Sequence, residues 1–452
     1  MVGGALNSGK QAASLRERQA EGAHADGQHP SLALGTPCSL TPAIGNVTNK
    51  GGISVGYVGV HAAYQAALAA AEIGRLDQFY CSLLDAPGKW GRLLSIALGA
   101  DRLANRRATG LPADRVVEHP WPFLRERART ALRRARPDEW LRACEAFDRW
   151  LAAQLRGSRS QVFYGGETCS EFAFREANQK GMTSLLDCSG VHPEFLRRIL
   201  VEAGQPPGPH FFSEPMILRK QRTYDSADVL ITQSEIQTRS FLEAGFPRAK
   251  IRQNPRGVDT RLFHATGRPE NPTGSRPLRA LFAGRITVLK GIPWLWEALR
   301  RCATAVQLTV VGSLSPESRR LFQQAPANVT HRPAVTQQAL RFIYLEHDVL
   351  VFPSLIDCFG NAAMEAMACG LPVILTDHCG TPVPDESWRV PVRNGAAIAD
   401  RLLRYADDRE QLGRDQERAA QFASAFSQTA FRARLGSVFQ EFLSPGGASG
   451  TQ

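Results

Sequence analysis

From Gly51 onward, short apolar runs alternate with stretches whose apolar positions recur at helical spacing, the pattern of strands feeding amphipathic helices. Ile53–Val60 reads as a strand, Ala62–Gly74 as an alanine-rich helix stopped by Gly74, and Gln78–Leu84 as the next strand. The alternation continues through Ser160–Tyr164, a helix over Cys169–Lys180, then Thr183–Asp187 and Ala227–Gln233 before a helix starting near Ser234. Strand and helix taken in turn predict βαβ units around a parallel sheet.

The pattern breaks at Gly267–Pro277, where Gly-Arg-Pro-Glu-Asn-Pro-Thr-Gly-Ser-Arg-Pro is a linker by composition. It then restarts with strands at Leu278–Ala283, Gln307–Val311, Asp348–Phe352 and Pro372–Thr376, and helices at Ile292–Cys302, Thr336–Tyr344 and Asn361–Cys369. Helical patterns at Ala396–Ala406 and Ala419–Phe442 close the chain. The expected division is therefore an unpatterned, disordered extension over 1–50, a first Rossmann-like domain over 51–266, the linker over 267–277 and a second Rossmann-like domain over 278–425. A C-terminal helix and tail over 426–452 lie beyond the second sheet and are expected to return to brace the first domain.

Composition adds little to the fold but narrows the setting. In 452 residues, 43% hydrophobic and 21% charged suits a globular chain with sizeable cores and excludes a disordered, collagenous or coiled-coil protein. Lys plus Arg number 54 against 43 Asp plus Glu, a net +11 that suits an anionic partner without choosing one. The 9 cysteines are scattered, without a C-x2-C pair, which reads as reduced thiols in a cytoplasm. Val58–Ile73 is the longest apolar stretch, and His61, Tyr64 and Gln65 break it, so no membrane span is expected. The polar, small-residue start lacks a signal-peptide pattern. Gly4–Lys10 mimics a phosphate loop, but Gln11 stands where Ser or Thr is needed and no strand precedes it.

The chemistry gathers in two loops of the second domain. In a doubly wound sheet ligands bind beyond the carboxyl ends of the strands, and there the chain places Gly284-Arg285-Ile286-Thr287-Val288-Leu289-Lys290-Gly291 and Pro353-Ser354-Leu355-Ile356-Asp357-Cys358-Phe359-Gly360. Two cations between glycines, beside a helix N-terminus whose free N–H groups favour phosphate, predict a diphosphate clamp. Asp357 and Glu365 add carboxylates eight positions apart, suited to sugar and ribose hydroxyls, though Asp357 also suits a helix N-cap. The combination describes a nucleotide-sugar site.

The strings Phe282-Ala283-Gly284-Arg285, Lys290-Gly291, Phe352-Pro353-Ser354, Asp357-Cys358-Phe359-Gly360 and Glu365-Ala366-Met367-Ala368-Cys369-Gly370-Leu371-Pro372-Val373-Ile374 resemble the retaining glycosyltransferases of family 4, which have the GT-B fold. Ala227-Asp228-Val229, Gly245-Phe246-Pro247 and Asn254-Pro255-Arg256-Gly257-Val258-Asp259 follow that family's pattern at the end of the first domain. The resemblance implies two Rossmann-like domains facing across a crevice and transfer of a sugar from a nucleoside diphosphate sugar with retention. It implies that Arg285 and Lys290 hold the diphosphate, Glu365 the ribose and Asp357 the donor sugar, with Gly284 and the backbone of Phe359, Gly360 and Asn361 alongside. One position departs: the first acidic residue of the family's Glu-x7-Glu is Asp357, shorter by a methylene. No Asp-x-Asp occurs, so no metal and no cofactor are expected, the leaving diphosphate itself helping to deprotonate the acceptor. Gly380-Thr381-Pro382 suits a loop under the base, and Asp377-His378-Cys379 reads as loop packing, because its spacing matches no zinc signature.

The family often has a first-domain histidine touching the donor sugar, for which His192 is the first candidate and His61 the second. Phe123–Arg136 carries Arg125, Arg127, Arg129, Arg133, Arg134 and Arg136 against Glu126, a basic amphipathic helix that fits an anionic membrane as well as a solvated face. The expected partners are a nucleotide-sugar donor, a glycan or lipid-linked acceptor and an anionic membrane, with no nucleic acid. The expected role is bacterial-type surface polysaccharide or glycolipid synthesis in the cytoplasm, at the inner face of the membrane. A non-catalytic nucleotide-sugar-binding subunit, or a GT-B epimerase or phosphorylase, remains the alternative.

Overall fold

The computed structural model describes residues 51–58, 61–85, 88–93, 110–132, 134, 138–205, 213–269 and 276–443. The first half contains β1 (Gly52–Tyr57), α1 (His61–Glu72), β2 (Leu76–Cys81), β3 (Val116–Glu118), α2 (Trp121–Ala131), α3 (Glu139–Arg156), β4 (Ser160–Gly166), α4 (Glu171–Gln179) and β5 (Thr183–Asp187). It continues with α5 (Pro193–Glu202), α6 (Glu214–Ser226), β6 (Val229–Thr232), α7 (Glu235–Glu243) and β7 (Ile251–Gln253). The second half contains β8 (Leu278–Ala283), α8 (Ile292–Cys302), β9 (Val306–Val311), α9 (Pro316–Phe322), β10 (Val329–Arg332), α10 (Gln337–Glu346), β11 (Val349–Phe352), α11 (Asn361–Ala368), β12 (Val373–Thr376), β13 (Arg389–Val390) and α12 (Gly395–Asp407). Two helices, α13 (Arg409–Ser424) and α14 (Gln428–Glu441), follow.

The seven strands of the first sheet run in the order β3-β2-β1-β4-β5-β6-β7 and the six of the second in the order β10-β9-β8-β11-β12-β13, with every named pairing parallel. The central strands are covered on both faces, so they read as continuous apolar runs such as Val349-Leu350-Val351-Phe352. In α8, Ile292, Leu295, Trp296, Leu299 and Cys302 form one buried stripe and the last turn carries Arg300 and Arg301, as an amphipathic helix with a favourable terminal charge should. Both sheets reverse their strand order at a switch point, β1/β4 in the first and β8/β11 in the second. Crevices at the carboxyl ends of such strands are where doubly wound sheets bind ligands.

One expectation changes. The single helix expected over Ala419–Phe442 is two, because Ala425-Phe426-Ser427 leaves the helix to pair with the chain at Val258: Val258 N–H donates to the Phe426 carbonyl at 2.8 Å and Gln428 N–H to that of Val258 at 3.0 Å. Ser427 then caps α14, its hydroxyl accepting Ala430 N–H at 3.1 Å. The linker is also tied down on both sides of 270–275, since Arg268 donates to the His347 carbonyl at 2.6 Å and Arg276 holds the Asp348 carboxylate at 2.6 and 2.8 Å. As expected, α14 returns to the first half, burying Phe431, Leu435, Val438 and Phe439 in the core that contains Ala66, Ala69 and Ala70 of α1. Residues 1–50 lie outside the described residues, and among those described no helix is long and apolar enough to cross a membrane.

Candidate active site

The loops after β8 and β11 meet because two glycines permit it. Gly291 has φ +76° and a Cβ there would lie 1.8 Å from the Pro353 carbonyl oxygen, so only glycine lets the loops touch. Leu355 N–H then donates to the Leu289 carbonyl at 2.9 Å. Gly360, at φ +66°, turns the chain into α11 with its Cα against the Thr381 hydroxyl, where a Cβ would sit 2.5 Å from Oγ1. The loop at 377–381 completes the rim: Asp357 N–H donates to the His378 carbonyl at 3.2 Å and Gly380 N–H to that of Asp357 at 2.8 Å. His378 Nδ1 lies 3.1 Å from the Leu355 carbonyl and Asp377 accepts Val392 N–H at 3.0 Å, which is loop packing.

This framework gathers most of the expected residues. Lys290 Nζ donates directly to Asp357 Oδ2 and lies 5.0 Å from the centre of the Phe352 ring. Asp357 Oδ1 accepts Phe359 N–H at 3.2 Å and Gly360 N–H at 2.7 Å, so this carboxylate holds the turn that leads into α11 as well as pairing with Lys290. Arg285 is exposed and has no partner among the described residues. Gly284 is exposed and donates its N–H to the Val311 carbonyl at 3.0 Å, Asn361 opens α11 at the surface, and Phe359 is buried in the core beneath. Glu365, one turn into α11, accepts the Tyr344 hydroxyl at 3.1 Å. Burial pushes its carboxyl up to about 7, the Tyr344 hydrogen bond opposing the rise.

His192 is placed differently. It is the N-cap of α5, its Nδ1 accepting Glu194 N–H at 3.4 Å and its Nε2 lying 3.3 Å from the side-chain Oε1 of Gln221. The ring sits 5.8 Å from Tyr224, 5.7 Å from Phe241 and 6.0 Å from Phe246, and burial holds its pKa below the usual value. The ring thus caps α5 and packs among three aromatic side chains. His61 opens α1, and its side chain lies outside what the structure describes.

The first sheet carries a group that sequence reasoning missed. Beyond β4, at the β1/β4 switch point, Glu167 is buried and accepts four donors: Ser189 N–H at 3.1 Å, Tyr224 O–H at 3.1 Å, Ser189 O–H at 2.8 Å and Lys220 Nζ at 2.8 Å. Glu167, Lys220, Ser189, Tyr57, Trp140 and Met216 line a cavity of about 210 Å³. Nearby, Arg256 holds Asp187 at 2.8 and 2.9 Å. The available signal was Gly165-Gly166-Glu167, an acid directly after a strand at the place where the switch-point rule points. Across the crevice, Leu355 and Ile356 from the Asp357 loop pack with Val191, Phe195, Ile199 and Ile236 of the first half.

Residues 277–408, which contain both loops, match the family model described as "Glycosyl transferases group 1". That segment belongs to the group 1 glycosyltransferases. A D-inositol 3-phosphate glycosyltransferase from Paenarthrobacter aurescens is 29% identical over 334 residues, 68% of this glycosyltransferase and 80% of that one. A putative colanic acid biosynthesis glycosyltransferase, WcaL, from Escherichia coli K12 is 28% identical over 240 residues, 49% of this chain and 58% of WcaL. Among solved structures, the sucrose-phosphate synthase of Thermosynechococcus elongatus matches with a TM-score of 0.63 at 18% identity, covering 87% of this chain and 99% of that one. The Anabaena HepE protein in complex with UDP matches at 0.58 and 13% identity, covering 86% and 100%. These neighbours share the GT-B fold. As a glycosyltransferase of this group, the protein transfers a sugar from a nucleotide sugar.

Proposed function

We propose that this glycosyltransferase moves a sugar with retention from a nucleoside diphosphate sugar to a hydroxyl of a glycan or lipid-linked acceptor, in the assembly of a surface polysaccharide or glycolipid. What supports the donor site is the Lys290–Asp357 pair beside the α11 N-terminus at the β8/β11 switch point, with Arg285 on the same loop as Lys290 and Glu365 one turn into α11. Arg285 and Lys290 hold the diphosphate and stabilise the charge that develops as it leaves, an electrostatic contribution that suits fixed cations in a crevice. Glu365 holds the ribose, and Asp357 meets the donor sugar beside the backbone of Phe359, Gly360 and Asn361. The bond from the anomeric carbon to phosphate breaks as the bond to the acceptor oxygen forms on the same face, and the acceptor proton passes to the leaving diphosphate.

Residues 51–266 serve as the acceptor half and 278–425 as the donor half, the acceptor entering the cavity beside Glu167, Lys220 and Trp140. UDP in the HepE complex favours a uridine donor, and the colanic acid relative favours a polysaccharide acceptor. His192 has no part in this reading, because its ring is spent on packing.

The test is thermal melting of the wild type and Glu365→Ala with UDP-, GDP- and ADP-sugars. A ligand that binds only the folded state at a hundred times its Kd adds about 2.7 kcal/mol. One donor should stabilise the wild type and not the variant. If no donor at saturation shifts the wild type, the site assignment fails.

A further inference from the structure

α2 packs one face into the first half and leaves the opposite face uncovered. Phe123 meets the Phe147 ring at 6.2 Å, while Trp121, Arg125, Ala128 and Leu132, which share a single stripe at helical spacing, are all exposed. Trp121 does not stand alone on that stripe: its ring meets Trp90 at 5.5 Å, edge to face. Trp90 and Trp121 are 50% and 55% exposed, and Leu93 and Leu132 are 58% and 65% exposed. An aromatic pair held in mutual contact yet half in water does nothing for the core. Four large apolar side chains raised on one surface mark an interaction site.

The charge around them chooses the partner. Arg129 is matched by Glu139 at 3.0 Å, and Arg92 lies 3.4 Å from Asp85. Arg125, Arg127 and Arg134, by contrast, are exposed and have no acidic partner among the described residues. Glu126, the acid of this helix, is turned to the Thr130 hydroxyl at 3.2 Å. Indoles settle at the level of lipid headgroups, with the ring in the apolar boundary and the N–H in the wet one. Uncompensated arginines beside them are attracted by an anionic leaflet, each worth roughly a fivefold gain in partitioning.

We infer that the surface built from Trp90, Leu93, Trp121 and Leu132, flanked by Arg125 and Arg127, docks the enzyme on an anionic phospholipid bilayer. This places the first half against the membrane. Glu139, which opens α3 and is held by Arg129 of α2, is followed directly by Trp140, which lines the cavity beside Glu167, so the docked face adjoins that cavity. A lipid-linked acceptor would then reach the cavity from the bilayer without leaving it. The docking does not depend on how the donor site is assigned.

The experiment is sedimentation of the full chain with vesicles of phosphatidylcholine alone and of phosphatidylcholine mixed with phosphatidylglycerol, at low and high salt. The wild type should sediment with the anionic vesicles, remain free of the neutral ones and be released by salt, and its tryptophan emission should shift to the blue on binding. Arg125→Glu/Arg127→Glu should weaken binding by a factor of about 100 or more, since each change replaces an attraction by a repulsion. Trp90→Ser/Trp121→Ser should abolish the blue shift and lower binding, with the melting temperature of both variants close to wild type as evidence of folding. Equal binding to neutral vesicles, no binding to anionic ones, or wild-type binding by folded variants would overturn the proposal. So would a wild-type dimer that Trp121→Ser alone dissolves, which would make the face a contact between copies of the chain.

Discussion

At the scale of single residues, the site is a contest between charges that hold each other and charges that must be released to hold a substrate. Lys290 and Asp357 are paired with each other. A diphosphate beside Lys290 therefore feels the carboxylate as well as the ammonium. Asp357→Asn keeps an oxygen to accept the Phe359 and Gly360 N–H groups, so the turn into α11 survives, but it removes a negative charge next to the proposed phosphate position. At an effective dielectric near 20, a charge about 8 Å away is worth about 2 kcal/mol before salt screening. UDP should consequently bind several-fold tighter to Asp357→Asn by titration calorimetry, while sugar transfer falls because the sugar loses its acceptor. Weaker UDP binding by the variant would show that the carboxylate does not face the phosphates.

Glu365 obeys a different balance. Its carboxyl is raised from 4.5 to about 7 by burial, so between those values the folded state holds more proton than the unfolded one. Stability from this group is then full below pH 4.5 and is lost as pH climbs through 7, a loss of about 3 kcal/mol at the usual 1.36 kcal/mol per unit. Glu365→Gln retains an oxygen to accept the Tyr344 hydroxyl and cannot ionise. Its denaturation free energy should exceed that of wild type by about 2–3 kcal/mol at pH 8 and by less than about 1 kcal/mol at pH 5. A constant difference across that range would mean that burial of the charge is not what the substitution relieves.

At the scale of elements, what could be read in advance was whatever local pattern determines. Strands buried on both faces and helices with an apolar stripe carry their own signature, and so do the glycine-bounded loops around Arg285 and Asp357. Features set by distant partners do not. The break between α13 and α14 comes from Val258, far back in the chain, pairing with Phe426 and Gln428, and no periodicity near Ser427 announces it. His192 looked like a ligand because it follows a strand end, yet Tyr224, Phe241 and Phe246 arrive from other elements to enclose it. Glu167 was passed over because its four donors come from two distant segments, Ser189 after β5 and Lys220 and Tyr224 on α6. The same logic makes α14 a structural crosspiece: Leu435 is fully buried in the first-half core, and Phe439 meets the Tyr164 ring at 5.7 Å. Leu435→Ala should destabilise the protein by about 2–5 kcal/mol in urea unfolding. A change under about 1 kcal/mol would mean that α14 is a loose tail.

At the scale of the molecule, the question is how two halves built on separate sheets make one reaction site. Leu355 and Ile356 sit in the loop that carries Asp357, yet their side chains are buried against α5 and α7 of the first half. Gly380 lies so near Ser234 that a Cβ would come within 2.2 Å of its hydroxyl, so the rim of the donor loop also touches the acceptor half. The loop is thus shaped by the first half, and opening the crevice at this cluster should disturb Asp357, the proposed donor-sugar contact, before it disturbs the proposed nucleotide contacts of the second half. Closure also keeps water from the anomeric carbon. Ile356→Ser, which puts a hydroxyl into the apolar cluster and leaves the backbone loop intact, should reduce transfer about tenfold or more while UDP affinity changes by less than about threefold, the gap being the free energy of assembling the crevice and not of holding the nucleotide. A larger share of donor should also be hydrolysed without transfer, read as free sugar released per UDP formed. If transfer and UDP affinity fall together with no rise in hydrolysis, the cluster supports the donor loop alone and the two halves do not close on it.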